Sequence, residues 1–396
     1  MRPAVLPDFA GPVYLDFNAT TPVDPDVLAA MLPWFADQYG NAASQHLLGR
    51  AADDAVEEAR RSVAELIGCS PGEIIFTSGA TESNNQALKG VLDTAAKDER
   101  SLVTSEIEHK AVLDVCDWLT GRRVNVRRVN VARNGVVEVA DLARSLTPRT
   151  TLVSVMAANN ETGVVQPLDV ISRMARDVGA LVHTDATQAV GKIPFDVNDV
   201  DVDLASFSSH KMYGPKGVGA LYVRRRTPLA ALLHGGGHER GLRSGTLNVP
   251  GIVGFGEAAR LALQRQAGDA AHCRRLVAVL RGRLEDLVPG AQATITCRRE
   301  PSKDLKMLPN TLNMRFPGAD AEAVLANAPL IAASSGSACT ARVPEPSHVL
   351  VAMLQDESQA RECIRFSVGR TTTEADVLAA AEQVAVAVER VRELTR

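Results

Sequence analysis

The chain has 396 residues, of which 45% are hydrophobic and 23% charged, and its formal net charge is −4 at pH 7. This length favours two domains over one, and the composition is that of an ordinary soluble globular protein. The slight negative charge argues against nucleic-acid binding by bulk positive charge. The first twelve residues predict neither a signal peptide nor a membrane span. Six scattered cysteines without a Cys-x-x-Cys pair argue against structural zinc and disulfides and for a reducing, cytoplasmic compartment.

Apolar β-branched runs alternate with amphipathic helical patterns through the first two-thirds of the chain. The predicted strands are 73–77, 101–105, 124–129, 151–156, 180–184, 204–208 and 219–223. The predicted helices of this region are 26–39, 51–67, 81–92, 110–120, 139–145 and 167–178. Strands separated by helices predict βαβ units and a mostly parallel sheet.

The pattern changes after about residue 250. A long helix is predicted over 251–280, continuing toward 287; it is followed by strands 293–297, 311–315 and 365–367 and by helices 319–326, 347–353 and 373–394. This order is typical of an α+β module. It places a domain boundary near residue 262, with a large domain of residues 21–262 and a small domain formed by 1–20 and 263–396.

Lys211 is the first candidate for chemistry. It follows a predicted apolar strand that ends in hydroxyl side chains, lies close to Ser208 and His210, and precedes a Tyr-Gly-Pro-Lys-Gly turn. Most lysines are solvated surface residues. A lysine at the carboxyl end of a strand, beside hydroxyl and imidazole groups, instead suits a Schiff base next to a phosphate site.

Thr81 marks a second candidate for anion binding. It lies in the first turn of a predicted helix that follows strand 73–77 through Gly79. Free backbone amides and the helix dipole bind phosphate at such a position, and the hydroxyl adds a donor. The alternative is a simple N-cap, which the second anion-binding segment at 208–210 disfavours.

Asp185 follows a buried apolar strand, where an unpaired carboxylate is costly. A protonated pyridinium nitrogen would be a suitable partner, with Gln188 and Asn160 near the phenolic oxygen of the same ring. His109 follows another strand end and could stack on a flat cofactor and shuttle protons. Loop capping is the alternative for the first three, and a structural role is the alternative for His109. All these segments fall at strand carboxyl ends, where open α/β sheets bind ligands.

Cys339 lies in the segment 333–340, Ala-Ser-Ser-Gly-Ser-Ala-Cys-Thr, among small and hydroxyl-bearing neighbours. Such small, polar neighbours do not bury the sulfur, and they predict a mobile loop that can deliver a thiol to a substrate. The alternative is an incidental loop cysteine. The remaining five cysteines are interpreted as ordinary buried or partly buried thiols.

Together these segments resemble the NifS/IscS-type cysteine desulfurases, which are class V aminotransferase-fold enzymes that use pyridoxal 5'-phosphate. The resemblance runs from Tyr14 to the last helix, and its most specific motifs are 77–82, 108–110, 159–163, 185–188, 208–211, 234–246, 331–340 and 364–367. It implies an α/β fold of the aspartate aminotransferase-like fold type I. A mainly parallel seven-stranded sheet would form the large domain, beside a smaller α+β domain.

The resemblance also implies a role for each site residue. Lys211 would hold the cofactor and remove the α-proton of L-cysteine, and Cys339 would take the sulfur as a persulfide while alanine forms. His109 would stack on the ring and shuttle protons. The other implied positions are Ala80, Thr81, Asn160, Asp185, Gln188, Ser208, His210 and, from the neighbouring subunit of a homodimer, Thr246 for the cofactor, with Arg365 and Asn41 for the substrate carboxylate. No metal is implied, apart from transient ligation of an iron–sulfur cluster by Cys339.

The chain departs from the family pattern mainly after Cys339. Arg342 and Pro344 change charge and stiffness there, Ser209 replaces a common glycine, and a longer tail that docks an iron–sulfur scaffold in some members is not seen. Iron–sulfur assembly, DNA phosphorothioation and tRNA thiolation therefore stay open as destinations of the sulfur. Selenocysteine lyase, another class V aminotransferase and a non-catalytic binding protein are the alternative functions. The last would be expected to lack Lys211 or Asp185, and both are present.

Overall fold

The computed structural model of the chain describes residues 12–96, 100–295, 305–336 and 345–394. Its strands are β1 Val13–Tyr14, β2 Ile74–Thr77, β3 Ser101–Ser105, β4 Asn125–Val129, β5 Leu152–Ser154, β6 Leu181–Asp185, β7 Leu204–Ser208, β8 Gly219–Val223, β9 Gln292–Ala293, β10 Thr311–Arg315, β11 Ile331–Ala332 and β12 Cys363–Ser367. Its α-helices are α1 Pro25–Met31, α2 Pro33–Ala36, α3 Leu47–Leu66, α4 Ala80–Thr94, α5 Lys110–Thr120, α6 Val139–Ser145, α7 Leu168–Asp177, α8 Val249–Leu287, α9 Ala321–Asn327, α10 His348–Leu354, α11 Glu357–Arg361 and α12 Glu374–Leu394.

Seven strands form the main sheet in the order β2-β8-β7-β6-β5-β3-β4. β8 runs antiparallel to both of its neighbours, and every other pair is parallel. Every residue of β2, β3, β5, β7 and β8 is buried, as expected when helices cover both faces of a parallel sheet. Separate apolar clusters pack on the two faces. The predicted mainly parallel seven-stranded sheet is confirmed.

A smaller antiparallel sheet follows, in the order β12-β10-β9, and β1 pairs with β11 in a parallel two-stranded ribbon. The 39-residue helix α8 connects the two regions. Its buried residues up to Ala262 join the apolar cluster of the main sheet, whereas those from Cys273 to Leu284 join the cluster around β10 and β12. The division into two domains at about residue 262 stays a prediction.

Some predicted bounds were wrong, and each has a local reason. The helix predicted over 26–39 is two short helices that meet at Leu32, because Pro33 lacks the N–H needed to continue α1 and instead begins α2. The helix predicted from residue 51 begins at Leu47, where the His46 ring caps it by accepting from the Gly49 N–H. Of the strand predicted over 293–297, only the start falls in β9, and Cys297 lies outside the described residues.

No helix in the described ranges is long and apolar enough to cross a membrane.

Candidate active site

A cavity of about 530 Å³ lies at the carboxyl edge of the main sheet. Its walls come from the segments that follow β2, β3, β5, β6 and β7, and from residues 18–20, Ser334, Gly336 and Arg365 on the opposite side. The carboxyl ends of these five strands point the same way, so their loops converge at one edge. A larger cavity of about 1030 Å³ beside α7 contains none of the predicted site residues.

The cavity brings together most of the residues that the sequence singled out. Those that line it are Ala80, Thr81, His109, Asn160, Asp185, Gln188, Ser208, His210, Lys211 and Arg365. Asn41 and Thr246 are exposed and do not line it in this single chain. Cys339, Arg342 and Pro344 lie outside the described residues.

One end of the cavity is built to receive an anion. α4 begins at Ala80, so the backbone amides of its first turn have no acceptor within the helix and face outward beside Thr81. Gly79 precedes them with a φ of +152°, a conformation that favours glycine. Ser208 and His210 lie across from this turn. Burial and the nearby lysines lower the pKa of His210 to about 4, so the ring is neutral and its N–H can donate to an oxyanion.

Asp185 ends β6 and is only 6% exposed. Its Oδ2 accepts a hydrogen bond of 2.7 Å from Asn84 Nδ2, and its Oδ1 accepts one of 3.0 Å from the Thr187 backbone N–H. These two donors fix the carboxylate in one orientation on the cavity wall. A carboxylate oxygen has two lone pairs, so the group can still accept a hydrogen bond from a protonated ring nitrogen.

Lys211 ends the short 3₁₀ turn that follows β7. Its Nζ donates to the backbone oxygens of Asn18, at 2.6 Å, and Ala19, at 2.7 Å. These two carbonyl groups lie in the loop that connects β1 to α1. These two uncharged backbone acceptors hold the amine at the cavity wall.

His109 is both a cavity residue and the N-cap of α5. Its Nδ1 accepts a hydrogen bond of 3.0 Å from the Ala111 backbone N–H. In the neutral ring the proton must therefore sit on Nε2. Burial is the main cause that lowers the pKa of His109, and Lys211 lowers it further, while Asp185 opposes the shift. The structure thus fixes Nε2 as the nitrogen that can exchange a proton with a ligand.

His109 is both the N-cap of α5 and a candidate for proton transfer, and two substitutions separate these roles. H109A should lose about 1 kcal/mol of unfolding free energy, because the cap of α5 disappears. H109N keeps a side-chain acceptor and should stay within a few tenths of a kcal/mol of the native chain. Under the predicted proton-transfer role of His109, both variants should also lose turnover on the order of 10²-fold or more, because neither replacement can transfer a proton. Urea unfolding and product formation measure the two effects, and native turnover in H109N would contradict the proton-transfer role.

Arg365 projects from β12 into the opposite side of the cavity. Its Nη2 donates to Asp16 Oδ1 at 2.6 Å and its Nη1 donates to the Asn160 backbone oxygen at 3.1 Å. Its Nε is buried and has no hydrogen-bond partner among the residues that the structure describes. A buried guanidinium N–H without an acceptor is costly, and a ligand carboxylate would satisfy it. The arrangement fits the predicted capture of a carboxylate, with Asp16 holding the guanidinium in place.

Several supporting residues were missed by sequence reasoning. Asn84 orients Asp185, and Asn18 connects the amine of Lys211 to the small sheet through its hydrogen bond of 2.8 Å to Thr311 Oγ1. Glu108 is fully buried, and burial raises its pKa to about 8, so it is protonated at neutral pH and adds no negative charge behind the cavity. Only the position of Asn84 on the buried face of a predicted helix, one turn after Thr81, could have indicated its role.

The cysteines of the described ranges are poor nucleophiles. Burial raises the pKa of Cys69 and Cys116 to about 12 and that of Cys273 and Cys363 to about 11. None of the four lines the cavity. A thiolate is the reactive form, so a nucleophilic sulfur would have to come from elsewhere in the chain.

The donor set of the cavity fits one kind of ligand. The first turn of α4 offers an anion site, and Asp185 offers a carboxylate and Lys211 an amine. The Nε of Arg365 is buried without a partner in the described ranges. Together they surround a space suited to a flat phosphate-bearing aromatic compound together with a small carboxylate.

Comparison with known proteins gives a consistent picture. Residues 13–379 match the family model for aminotransferase class-V. The chain is 50% identical over 386 residues to cysteine desulfurase IscS of Anaeromyxobacter sp. (strain Fw109-5), which covers 97% of this chain and 93% of that protein. A solved NifS-like protein superposes with a TM-score of 0.85 at 40% identity, covering 97% of this chain and 99% of that one. SspA, solved in complex with cysteine, superposes with a TM-score of 0.79 at 35% identity, covering 91% and 99%.

Proposed function

Because the chain belongs to the aminotransferase class-V family and is a cysteine desulfurase of the NifS/IscS type, we propose that Lys211 and Cys339 are its two reacting side chains. In this proposal the cofactor is pyridoxal 5'-phosphate and the substrate is L-cysteine. The observation that carries it is the convergence of Lys211, Asp185 and the first turn of α4 on one cavity. A separate solved relative in complex with cysteine supports the choice of substrate.

Different residues of the cavity would bind different parts of the cofactor. Ala80, Thr81, Ser208 and His210 would hold its phosphate, and Asp185 would accept from its ring nitrogen. Asn160 and Gln188 would lie near its phenolic oxygen, His109 would stack on its ring, and Lys211 would bind it covalently. When bound there, pyridoxal phosphate supplies an electron sink that stabilises negative charge on the α-carbon of an amino acid.

The chain's own groups would then carry the remaining steps. Arg365 binds the substrate carboxylate by a bidentate pair, with Asn41 as a second contact. The Lys211 amine removes the α-proton, and His109 Nε2 exchanges protons with the substrate. The Cys339 thiolate attacks the substrate sulfur: a sulfur–sulfur bond forms, the carbon–sulfur bond breaks, and its electron pair remains on the β-carbon. That carbon takes a proton, alanine leaves, and Cys339 carries a persulfide for an acceptor protein.

Cys339 is favoured as the sulfur carrier partly by the state of the other thiols. The four cysteines in the described ranges are buried or half-buried, and burial raises the pKa of each of them. Cys297 and Cys339 are the two cysteines that lie outside those ranges. Of these two, only Cys339 lies in a Ser-Gly-Ser-Ala-Cys segment, and Gly336, just before it, lines the cavity.

A homodimer is proposed as the functional unit. The segment from α1 to the start of α3 exposes five large apolar side chains, which a second copy would cover: Leu28, Leu32, Phe35, Tyr39 and Leu47. Thr246 is exposed on the loop that Arg243 ties to Glu82 at the cavity, and it would complete the phosphate site of the neighbouring subunit. Sedimentation equilibrium should give twice the chain mass, and a monomer at micromolar concentration would contradict this assembly.

The proposed function is tested by measuring the ratio of the two products. The chain purified with pyridoxal phosphate should show a visible absorption band and, with L-cysteine and a thiol reductant, release alanine and sulfide in equal amounts. Alanine from selenocysteine alone would favour a selenocysteine lyase, and amino transfer that needs a 2-oxo acid would favour another class V aminotransferase. A colourless protein that takes up no cofactor would contradict the proposed enzyme altogether.

A further inference from the structure

Lys192 is a half-buried lysine that the chemistry described above does not use. Its Nζ donates to Asn18 Oδ1 at 2.9 Å and to Gln188 Oε1 at 2.5 Å. No carboxylate forms an ion pair with it in the described parts of the chain. Burial is the main cause that lowers the pKa of Lys192 well below its ordinary value, and the positive charges of Lys211 and Arg365 lower it further. Burying a lysine in such surroundings costs free energy unless hydrogen bonds compensate for the lost contact with water.

Its contacts fix which way the Gln188 amide is turned. The Nε2 of Gln188 donates to the Asn18 backbone oxygen at 3.0 Å, and a carbonyl oxygen can only accept. The amide oxygen therefore faces Lys192. The neighbouring Asn18 amide agrees, because its Nδ2 donates to the Asn160 backbone oxygen and to Thr311 Oγ1, while its Oδ1 accepts from Lys192 and from Asn310 Nδ2. Two independent amides thus place their oxygens on the same amine.

Gln188 lines the cavity, whereas Lys192 does not. The Nε2 group has two hydrogens and donates one of them to Asn18, which leaves a second N–H to offer. We propose that Lys192 is a positioning residue, which locks Gln188 so that it presents an N–H donor, and not its carbonyl oxygen, to a ligand oxygen in the cavity. This inference rests on the proposed function, in which that oxygen is the phenolic oxygen of pyridoxal phosphate.

A fixed N–H donor on Gln188 should lower the pH at which the lysine linkage of the bound cofactor loses its proton. An N–H donated to the phenolic oxygen stabilises its ionised form, so the oxygen holds the neighbouring proton of the lysine linkage less tightly. Without the donor, the linkage should keep its proton to higher pH. The other ionisable or charged groups that line the cavity among the described residues are Glu82, His109, Asp185, His210, Lys211, Lys216 and Arg365, and Cys273 lies near Lys192. The proposed substitutions leave all of them unchanged.

The test is a pH titration of the visible absorption of the purified holoprotein. K192M removes the donor to Gln188 at similar side-chain volume and should raise the titration midpoint by about one pH unit. K306M, which changes an exposed lysine that does not line the cavity, should leave the midpoint unchanged. Q188E keeps a partner for Lys192 but presents an acceptor, and it should raise the midpoint as well.

The double variant separates positioning from a direct charge effect. If Lys192 acts through Gln188, K192M combined with Q188A should shift the midpoint no further than Q188A alone. Additive shifts, or a native midpoint in folded K192M, would overturn the inference while leaving the proposed function intact. If K192M fails to fold, a native midpoint in Q188E overturns it instead. A native chain that shows no visible band would overturn the proposed function, and this inference with it.

Discussion

Replacing the sulfur of Cys339 should abolish sulfur transfer while leaving the cofactor site intact. C339S is expected to form alanine and sulfide from L-cysteine at a rate lower on the order of 10³-fold or more, because a serine hydroxyl is a far weaker nucleophile than a thiolate. Its visible absorption spectrum should match that of the native chain, since the residues that line the cavity are unchanged. Product formation and the spectrum are measured on the same preparation.

The matched control is C297S, because Cys297 is the other cysteine outside the described residues. We expect it to retain native turnover, as we do for C116S, whose thiol is fully buried and has a pKa of about 12. Full sulfide release by C339S, or a comparable loss in C297S, would assign the sulfur to a different residue.

Replacing Lys211 should lower turnover to a similar extent and should also remove the covalent attachment of the cofactor. K211A is expected to lose turnover on the order of 10³-fold or more, because it removes both the covalent attachment and the base for the α-proton. Any cofactor that still binds should be released when the protein is denatured, since no bond holds it. The Nζ group lies 2.6 Å from the Asn18 backbone oxygen, so its removal leaves a space that a small amine can enter.

Addition of methylamine should therefore restore part of the lost turnover to K211A. K306M serves as the control, because it changes an exposed lysine that does not line the cavity. Persistent covalent attachment in K211A, shown by a cofactor-bearing peptide after proteolysis, would assign the linkage to another lysine. In that case Lys192 or Lys216 would be the next candidate, since Lys216 lines the same cavity and Lys192 contacts Gln188 on its wall.

The sequence predicted the sheet and the cavity well because both follow from local signals. Short runs rich in apolar residues, such as β2 and β7, indicate strands directly, and the polar residues after them must meet wherever parallel strands end. The sequence alone therefore predicts Thr81, Asp185 and Lys211 at one edge of the sheet. The structure confirms the seven-stranded sheet and places these three residues on one cavity.

The supporting network could not be predicted because it depends on contacts between distant parts of the chain. Asn84 and Asp185 are 101 positions apart, and Lys192 and Asn18 are 174 positions apart. An asparagine in a predicted helix, such as Asn84, and a lysine between two predicted strands, such as Lys192, carry no signal of burial, since both types are usually exposed. The engagement of Arg365 by Asp16 was missed for the same reason, because it links β12 to the segment that follows β1.

The most direct test of the account is the mass of the peptide that carries the sulfur after one turnover. The chain is mixed with L-cysteine, thiols are blocked, and trypsin is expected to give peptides 316–342, which contains Cys339, and 284–298, which contains Cys297. The account predicts that only the peptide with Cys339 gains the mass of one sulfur atom, and that K211A gains none. Extra sulfur on the peptide with Cys297, or on neither peptide while alanine accumulates, would contradict it.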